Sequence, residues 1–497
     1  MIQRSIVIDV SPMTFVGQIL LYRSGLTVGA IEWMHPQGQR RPWPTRESSR
    51  RAPEVDIKMS RVPFGPTSCA RERTGRRRLM RLRGLLTLGS LFAVSLVLWS
   101  LVALELAHQT RTGLPLDFEV YRDAATSMLH GGATYHARFT FAHLNFTYPP
   151  FALLLLSALT VPSPLVMLVI WWLLNSLALV AFVVLALRSI TGLSRRTAVV
   201  AALAIGGASC LFLEPVRSNM DFGQINFFLM LAILVDVTRV RSSSRGVLTG
   251  LAAAVKLTPL IYITYFAVIR SRCSVLRVSG AFVAAGAVAW LVLPSDSALF
   301  WFHQAISPGH KGGAIGTANQ SWFGLVGRFS STLGSSTTTV WLALSVATFL
   351  VGLYLARRYV ASDRPIEALL ALALTELLVS PISWTHHWSW IILLPVILVA
   401  RWRQDRWVGG AMLLLLIVGA TAPYRWHRYR WYAHGHLSIL PGFSLLFAGA
   451  VLMIAMAGTE WQRSRRERRA TLLSDNPTTE ESAALLEPRE LVGLPPS

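Results

Sequence analysis

Apolar segments follow one another from residue 84 to residue 458, separated by short polar or arginine-containing connections. A helix needs about 20 mostly apolar residues to span a bilayer. The pattern therefore predicts spanning helices near 84–106, 164–187, 197–213, 224–238, 275–293, 338–356, 365–380, 387–400, 407–421 and 439–458.

Two further apolar segments are less regular. The segment 246–269 is interrupted by Lys256 and Pro259, which predicts either one helix or a pair of short ones. The segment 148–161 is short for a span, and such a segment could lie at the membrane interface.

The composition agrees with this pattern. Of the 497 residues, 53% are hydrophobic and 14% are charged, whereas soluble domains carry about 25% charged residues. The charged side chains are too few to cover a soluble surface, and the apolar share is too high for a disordered chain. We therefore expect an all-α integral membrane protein with 10 to 12 transmembrane helices.

The net charge of +22 comes from arginine, and its distribution orients the chain. Loops on the cytoplasmic side of membrane proteins carry an excess of Lys and Arg. If every arginine cluster faces the cytoplasm, the segment 246–269 crosses twice, 148–161 does not cross, and both termini are cytoplasmic. We expect an arginine-rich, disordered extension over 1–83, a membrane body over 84–458, and a disordered tail over 459–497.

This orientation places the remaining connections on the outer face. They include a large first loop, 107–163, and the connections 214–223, 294–337, 380–387 and 422–438. Acidic residues, His, Asn and aromatic residues gather in these connections. A purely structural helix bundle does not need polar residues to gather on one side. Their unequal distribution therefore predicts a polar site that faces outward.

Asp117 is the first candidate for chemistry. It lies in D-F-E-V-Y, shortly after the first span and after Pro115. An ionised carboxylate within hydrogen-bond reach of a hydroxyl can act as a general base. The alternative is a helix N-cap, for which Asp is a preferred residue.

Gln224, Asn226 and Lys256 are polar residues at or within apolar segments. The amides of Gln224 and Asn226 both donate and accept hydrogen bonds, which suits a hydroxyl-rich ligand. The alternative is hydrogen bonding between helices of the bundle. Lys256 is flanked by apolar residues, and an ionisable group at membrane depth requires a partner or a function. An anionic phosphate would repay the cost of burying its ammonium group, whereas snorkelling to the interface is the alternative.

His386 and His387 open a predicted span beside Trp384 and Trp388. Adjacent helix positions point to different faces, so this pair alone does not form a metal chelate. One His against a phosphate or hydroxyl is the preferred interpretation. The Trp residues belong either to an interfacial belt or to a surface on which a sugar stacks.

The order of these motifs resembles glycosyltransferase family 87. The matching motifs are D-x-x-V-Y, G-x-x-Y, Y-P-P-F, G-Q-x-N, K-L-T-P, N-x-S and S-P-x-S-W-x-H-H, within residues 84–458. Members of this family are GT-C-type mannosyltransferases of actinobacteria that use polyprenyl-phosphate mannose. The resemblance extends to the α-1,2-mannosyltransferases of phosphatidylinositol mannoside, lipomannan and lipoarabinomannan assembly. It implies an inverting enzyme in the cell membrane, with its active site facing outward.

The resemblance also implies roles for individual residues. Asp117 corresponds to the general base, Lys256 to the group that meets the lipid phosphate, and His386 or His387 to a residue that assists at the reacting centre. The substrate-binding residues would be Tyr121, Tyr148, Asp221, Gln224, Asn226, Lys256, Asn319, Gln320 and Trp384. The expected partners are the donor lipid, a mannosylated lipid acceptor and the membrane. No cofactor, metal or nucleic acid is implied.

Three other functions compete with this interpretation. A transporter or flippase would also combine many spans with a buried Lys, but it predicts inverted repeats and polar elements near the midplane. The sequence contains no evident internal repeat, and its polar motifs gather at one face. The second is another GT-C enzyme, which would transfer arabinose or glucose, or a lipid ligase that acts on the same lipid class. The third is a scaffold without catalysis. Fold resemblance alone does not separate these, because function resides in the site.

Overall fold

The computed structural model describes residues 68–305, 317–402, 404–426 and 439–474. Within these ranges the chain is helical and forms no strand, and its two isolated β-bridges join Phe139 to Leu144 and Asn319 to Trp384. Most of the predicted extension 1–83 and the end of the predicted tail 459–497 lie outside the described residues. Parts of the predicted outer connections 294–337 and 422–438 also lie outside them.

Regular helices account for most of the described chain. In its first part they are α1 (Ser68–Gln109), α2 (Leu116–Leu129), α3 (Pro150–Leu156), α4 (Pro164–Ile190), α5 (Arg195–Phe212), α6 (Glu214–Asp221) and α7 (Asn226–Thr238). They continue with α8 (Val247–Val255), α9 (Ile263–Val268), α10 (Arg272–Val292), α11 (Pro294–Leu299), α12 (Trp322–Gly327) and α13 (Ser330–Leu333). The last are α14 (Ser336–Ala361), α15 (Pro365–Val379), α16 (Leu393–Arg401), α17 (Arg406–Thr421), α18 (Pro423–Trp426), α19 (Ile439–Gly442) and α20 (Ser444–Ser474).

Short helices of other types connect several of these. The 3-10 helices are Thr110–Thr112, Ser157–Thr160, Thr258–Tyr262 and Thr385–Ile392, and Phe300–Gln304 forms a π-helix. Two predicted boundaries fall inside helices, since α1 begins at Ser68 within the predicted extension and α20 continues to Ser474 within the predicted tail.

Seven helical segments of the described chain are long and apolar enough to cross a membrane. They are Gly84–Gln109, Pro164–Ile190, Arg195–Phe212, Arg272–Val292, Ser336–Ala361, Arg406–Arg425 and Ser444–Thr471. The prediction of an all-α, multi-pass membrane protein is confirmed. The number is below the predicted ten to twelve because other apolar segments form shorter or bent helices. The predicted span 387–400, for example, is a 3-10 helix followed by α16.

Helix α15 is the most enclosed of the short helices. It has 15 residues and begins at Pro365, so it is about 22 Å long, less than the roughly 30 Å of a bilayer core. Most of its side chains are buried, Ile366, Leu369, Leu370 and Ala373 completely. By contrast, α1, α4, α10 and α14 expose many large apolar side chains, as expected of helices that face lipid.

The two ends of α15 differ in chemistry. Near its N-terminus the Glu367 carboxylate pairs with Arg364 at 3.1 Å and with Arg401. Nearby, Glu460 of α20 pairs with Arg364 at 3.3 Å and with Arg463 at 2.7 Å. The C-terminus of α15 leads instead into the S-P-x-S-W-x-H-H segment, so the arginine cluster and the histidines lie at opposite ends of this helix.

The two irregular predicted segments are indeed broken. In 246–269, α8 ends before Lys256, whose backbone is extended (φ −146°, ψ 132°), and a 3-10 helix begins at Thr258. Pro259 has no N–H to continue the helical hydrogen bonds, which explains the break. This segment is therefore a pair of short helices, and 148–161 is also short, with α3 followed by a 3-10 turn.

Helices α6 and α7 meet at an angle of 116°, and the turn between them depends on Gly223. Gly223 has φ +67°, and a Cβ atom there would approach the Phe118 Cβ to 2.7 Å. The turn directs the Phe222 carbonyl to α2, where it accepts hydrogen bonds from the Asp117 and Phe118 amides, both at 3.1 Å. A glycine is needed because other residues adopt this conformation at a cost.

We expect Gly223→Ala to destabilise the protein by at least about 1–2 kcal/mol, the usual cost of a left-handed conformation for an L-residue. The clash with Phe118 adds to this cost. Thermal unfolding of the purified protein in detergent is the measurement. Gly280→Ala is the matched control, because Gly280 lies within α10 with open space around its Cα. Equal unfolding temperatures for the two variants would refute the requirement for glycine at the turn.

Candidate active site

Asp117 is the second residue of α2, and its carboxylate is half-buried. It is not the helix cap, because Pro115 occupies that position and the Phe222 carbonyl accepts from the first amides of the helix. A negative charge in the first turn is favourable in the field of the helix dipole. The backbone thus satisfies the end of α2 and leaves the Asp117 carboxylate to interact with side chains of other helices.

Gln224 connects Asp117 to two tyrosines. Its Nε2 donates to the Asp117 Oδ2 at 2.6 Å, and its Oε1 accepts from the hydroxyls of Tyr121 at 3.0 Å and Tyr148 at 2.9 Å. The two tyrosine hydroxyls are 2.7 Å apart. Because one end of the amide donates and the other accepts, the carboxylate and the phenols fix its orientation. Four predicted site residues therefore form one hydrogen-bonded cluster.

The electrostatics of this cluster suit a base. Burial raises the pKa of Asp117 to about 6, and the hydrogen bond from Gln224 and the positive charge of Lys256 partly oppose this rise. The carboxylate is therefore mostly ionised at neutral pH and still basic enough to accept a proton. General bases are most efficient when their pKa lies near the working pH.

Lys256 lies beside this cluster and directs its ammonium group into the protein. Its Nζ donates to the Asn226 Oδ1 at 2.8 Å, lies 3.2 Å from the His387 Nε2, and stands 5.4 Å from the centre of the Tyr148 ring. The Lys256 ammonium group is therefore directed to partners inside the protein, and it does not snorkel to the membrane interface. The cation is thus held close to Asp117 by neutral partners, which leaves its charge available to an anionic ligand.

The two histidines have different surroundings. The Nε2 of His387 faces the Lys256 ammonium and so accepts a hydrogen bond, which assigns the ring proton to Nδ1. The ring of His386 packs 5.6 Å from that of Phe222, and its buried Nε2 has no hydrogen-bond partner among the described residues. The Asn226 Nδ2 donates to the His386 carbonyl at 3.2 Å and so fixes the segment that carries the two histidines. The same side-chain amide accepts from Lys256 through its Oδ1.

Glu214 anchors the histidine segment from α6. Its buried carboxylate accepts from the Thr385 hydroxyl at 3.3 Å and from the Tyr424 hydroxyl, and Arg425 lies 3.6 Å away. The Ser389 hydroxyl, on the same segment, donates to the Pro215 carbonyl at 3.0 Å. Helix α6 therefore positions Asp117 through the Gly223 turn and also holds the segment that carries the histidines.

Glu376 also belongs to the site, although the sequence analysis did not identify it. It lines a cavity together with Lys256, Asn226 and His387, near the C-terminus of α15. The same argument that singled out Lys256, a charge within an apolar segment, applies to Glu376 in A-L-T-E-L-L-V. The position of Glu376 within an apolar segment was therefore sufficient to identify it as a candidate site residue.

Other predicted site residues make contacts elsewhere. Asp221 accepts from the Gln109 Nε2 at 2.9 Å and lies 3.8 Å from Arg217, so it connects α6 to α1. Trp384 is half-buried and forms the backbone bridge with Asn319. Neither has a hydrogen bond to the Asp117 cluster or to Lys256 among those of the described residues.

Asn319 and Gln320 are completely buried, and their amides bind backbone groups. The Asn319 Oδ1 accepts from the Ser383 amide at 2.7 Å, while its Nδ2 donates to the Pro381 carbonyl at 2.9 Å. The Gln320 Nε2 donates to the Gly442 carbonyl at 2.6 Å, and its Oε1 accepts from the Leu445 amide at 3.1 Å. These amides therefore join the N-x-S segment to the loop before the histidines and to the start of α20.

The described part of the chain offers no metal-binding cluster of three or more His, Cys, Asp or Glu side chains. What the site can do chemically is accept a proton at Asp117 and stabilise a negative charge at Lys256. Both groups are held a short distance apart by Gln224, Tyr148 and Asn226. This combination suits the attack of a hydroxyl on a carbon whose leaving group is a phosphate.

Comparison with known proteins agrees with this chemistry. Residues 146–381 match glycosyltransferase family 87. A polyprenol-phosphate-mannose-dependent alpha-(1-2)-phosphatidylinositol mannoside mannosyltransferase of Mycobacterium tuberculosis is 31% identical over 64% of this chain and 79% of the relative. A corresponding pentamannoside mannosyltransferase of the same species is 34% identical over 69% and 80%. One from Mycolicibacterium smegmatis is 31% identical over 69% and 83%. No solved structure matches the chain at a significant level.

Proposed function

This chain belongs to glycosyltransferase family 87, and on that premise we propose that Asp117 and Lys256 catalyse its transfer reaction. The protein is a multi-pass membrane mannosyltransferase that uses polyprenol-phosphate mannose as donor and a phosphatidylinositol mannoside as acceptor. This identity favours mannose transfer over lipid transport and over transfer of another sugar. The names of the relatives support an α-1,2 linkage for the product.

The observation that carries the mechanism is that Asp117, held by Gln224, and Lys256, held by Asn226, lie on either side of Tyr148. Asp117 takes the proton of the acceptor hydroxyl while that oxygen attacks the anomeric carbon of the donor. The bond between this carbon and the phosphate oxygen breaks, through a transition state with oxocarbenium character as in other glycosyl transfers. A single displacement inverts the anomeric centre, so a β-linked donor gives an α-mannoside.

Lys256 would stabilise the negative charge that develops on the departing lipid phosphate. His387 accepts a hydrogen bond from the Lys256 ammonium and so would orient it towards the phosphate. His386 offers a buried Nε2 near the same place. We therefore propose that His387 positions Lys256 and that His386 contacts a hydroxyl. The wall of the substrate site would be formed by Tyr121, Tyr148, Gln224 and Asn226.

We also propose that the site faces the outer side of the membrane and that both termini are cytoplasmic. The support is the distribution of charge along α15, whose N-terminus carries the arginine cluster and whose C-terminus leads to the histidines. Arginine-rich ends of spanning helices are typical of the cytoplasmic side.

The function is tested with purified protein, labelled polyprenol-phosphate mannose and phosphatidylinositol mannoside acceptors in detergent or vesicles. We expect a labelled glycolipid whose new linkage is α-1,2. Movement of the donor lipid across the bilayer without a new glycosidic bond would instead favour a transporter.

Asp117→Asn should lower turnover by about 100- to 10,000-fold, the usual contribution of a general base. The variant keeps the size and the hydrogen bond of the side chain but cannot take the proton. Asp123→Asn is the control, because Asp123 is on the same helix and outside the Gln224 cluster. Near-normal turnover of Asp117→Asn would remove Asp117 as the base.

The pH profile reports the same carboxylate. Because the base must be deprotonated and burial raises the pKa of Asp117 to about 6, turnover should fall about tenfold for each pH unit below that value. Gln224→Leu removes a hydrogen bond to the ionised form, so the pKa of Asp117 should rise and the acid limb should move to higher pH. An acid limb that stays in place in Gln224→Leu would contradict this assignment.

Lys256→Met should lower turnover by about 100- to 1,000-fold, the usual loss when one charge-stabilising donor is removed. Lys256→Arg keeps the positive charge in a different shape and should retain part of the activity. Turnover is measured with saturating donor, so that weaker binding does not account for the loss. Equal turnover of Lys256→Met and the unmodified protein would refute the role in leaving-group stabilisation.

A further inference from the structure

A cavity of about 320 Å³, including its mouth, lies next to the Asp117 cluster. Its polar wall is formed by Asn226, Lys256, Thr258, Tyr262, Glu376 and His387. The mechanism above accounts for Lys256 and its two contacts, but it gives no function to Glu376, Tyr262 or Thr258.

Glu376 differs from the other acidic residue of α15. Glu367 pairs with Arg364 and Arg401, whereas Glu376 makes no ion pair of this kind within the described residues. A carboxylate in an apolar helix is costly, and such residues usually have a function. The Lys256 charge acts on Glu376 across the cavity, so a cation and an anion face the same small space without direct pairing.

The groups around Glu376 can bind a hydroxyl. The hydroxyls of Thr258 and Tyr262 interact with its carboxylate, and a carboxylate has about four acceptor positions. The Tyr262 side chain is completely buried, and within the part of the chain described its hydroxyl lies near the Glu376 carboxylate without a hydrogen bond of normal geometry. Buried polar groups are nearly always hydrogen-bonded. A ligand hydroxyl could donate to Glu376 and accept from Tyr262 at once.

The remaining wall indicates which substrate enters. Leu229, Met230 and Ile233 of α7 form an apolar side, and Trp390 adds an aromatic surface. The donor carries an isoprenoid chain on its phosphate and a hexose beside it. The isoprenoid chain matches the apolar wall, the phosphate matches the Lys256 cation, and the hexose hydroxyls match the acceptor groups of Glu376. The acceptor also carries acyl chains and a phosphate, but its inositol and mannose units separate these groups from the reacting hydroxyl. Only the donor brings a phosphate directly to the reacting carbon.

We propose that Glu376 is a specificity-determining residue that accepts a hydrogen bond from the mannosyl hydroxyl next to the anomeric carbon, while Lys256 holds the adjacent phosphate. This inference rests on the proposed function. It assigns recognition of the donor sugar to α15, which lines the same cavity as Lys256.

The test is a binding cycle without acceptor, so that no transfer occurs. Dissociation constants are measured for polyprenol-phosphate mannose and its 2-deoxymannosyl analogue, with the unmodified protein and with Glu376→Gln. We expect Glu376→Gln to weaken binding of the mannosyl donor about tenfold, as for loss of a hydrogen bond to a charged group. It should weaken binding of the deoxy analogue less than threefold. If the effect of Glu376→Gln on the dissociation constant depends on whether the sugar hydroxyl is present, the side chain and that hydroxyl are in direct contact.

Glu367→Gln is the matched control, since it removes the other carboxylate of α15, and it should leave the preference for the mannosyl donor unchanged. If Glu376→Gln does not accumulate, Glu376→Asp is used, and its preference for the mannosyl donor should be reduced. Equal weakening for both ligands, or an unchanged preference in the Asp variant, would overturn the proposal. Transfer by the unmodified protein is assayed in parallel. Its absence would refute the proposed function, whereas transfer with an unchanged preference would refute only the role of Glu376.

Discussion

The hydrogen bond between Gln224 and Asp117 is the interaction on which the site depends. It joins the turn after α6 to the first turn of α2, and the other end of the same amide collects the hydroxyls of Tyr121 and Tyr148. Every polar group in this cluster has a hydrogen-bond partner only if the Gln224 NH₂ group faces Asp117 and its oxygen faces the tyrosines. A buried network of this kind is stable when every member is paired, so the Asp117 carboxylate is held in place before any substrate binds.

The sequence predicted much of the fold and part of the site. The apolar segments predicted the all-α membrane class, and the interruption at Lys256 and Pro259 correctly allowed two short helices. Motif order identified Asp117, Gln224, Tyr148 and Lys256, which the structure brings together. It did not reveal partners, because contacts between residues as distant in sequence as Gln224 and Asp117 depend on how helices pack.

The same limit explains the residues that lie elsewhere and the one that was missed. Asn319 and Gln320 appear in a polar motif, yet their amides are occupied by the backbone of a loop and of α20. A motif does not distinguish an amide that binds a ligand from one that binds the main chain. Glu376 belongs to no motif used here, and only its position in an apolar helix marks it. Its relation to Lys256 appears once α15 is packed beside the Thr258–Tyr262 turn.

The short length of α15 has a consequence for the depth at which the site lies. Helix α15 is about 22 Å long, while the outer helices α4 and α14 have 27 and 26 residues and so extend for about 40 Å. The long helices match a bilayer of ordinary thickness with some tilt, whereas α15 is enclosed by other helices and need not reach either surface. A helix shorter than the bilayer core can place the polar segment after its C-terminus below the level of the lipid head groups. In that position the head group of the acceptor would meet the phosphate of a membrane-bound isoprenoid without drawing the isoprenoid chain out of the bilayer.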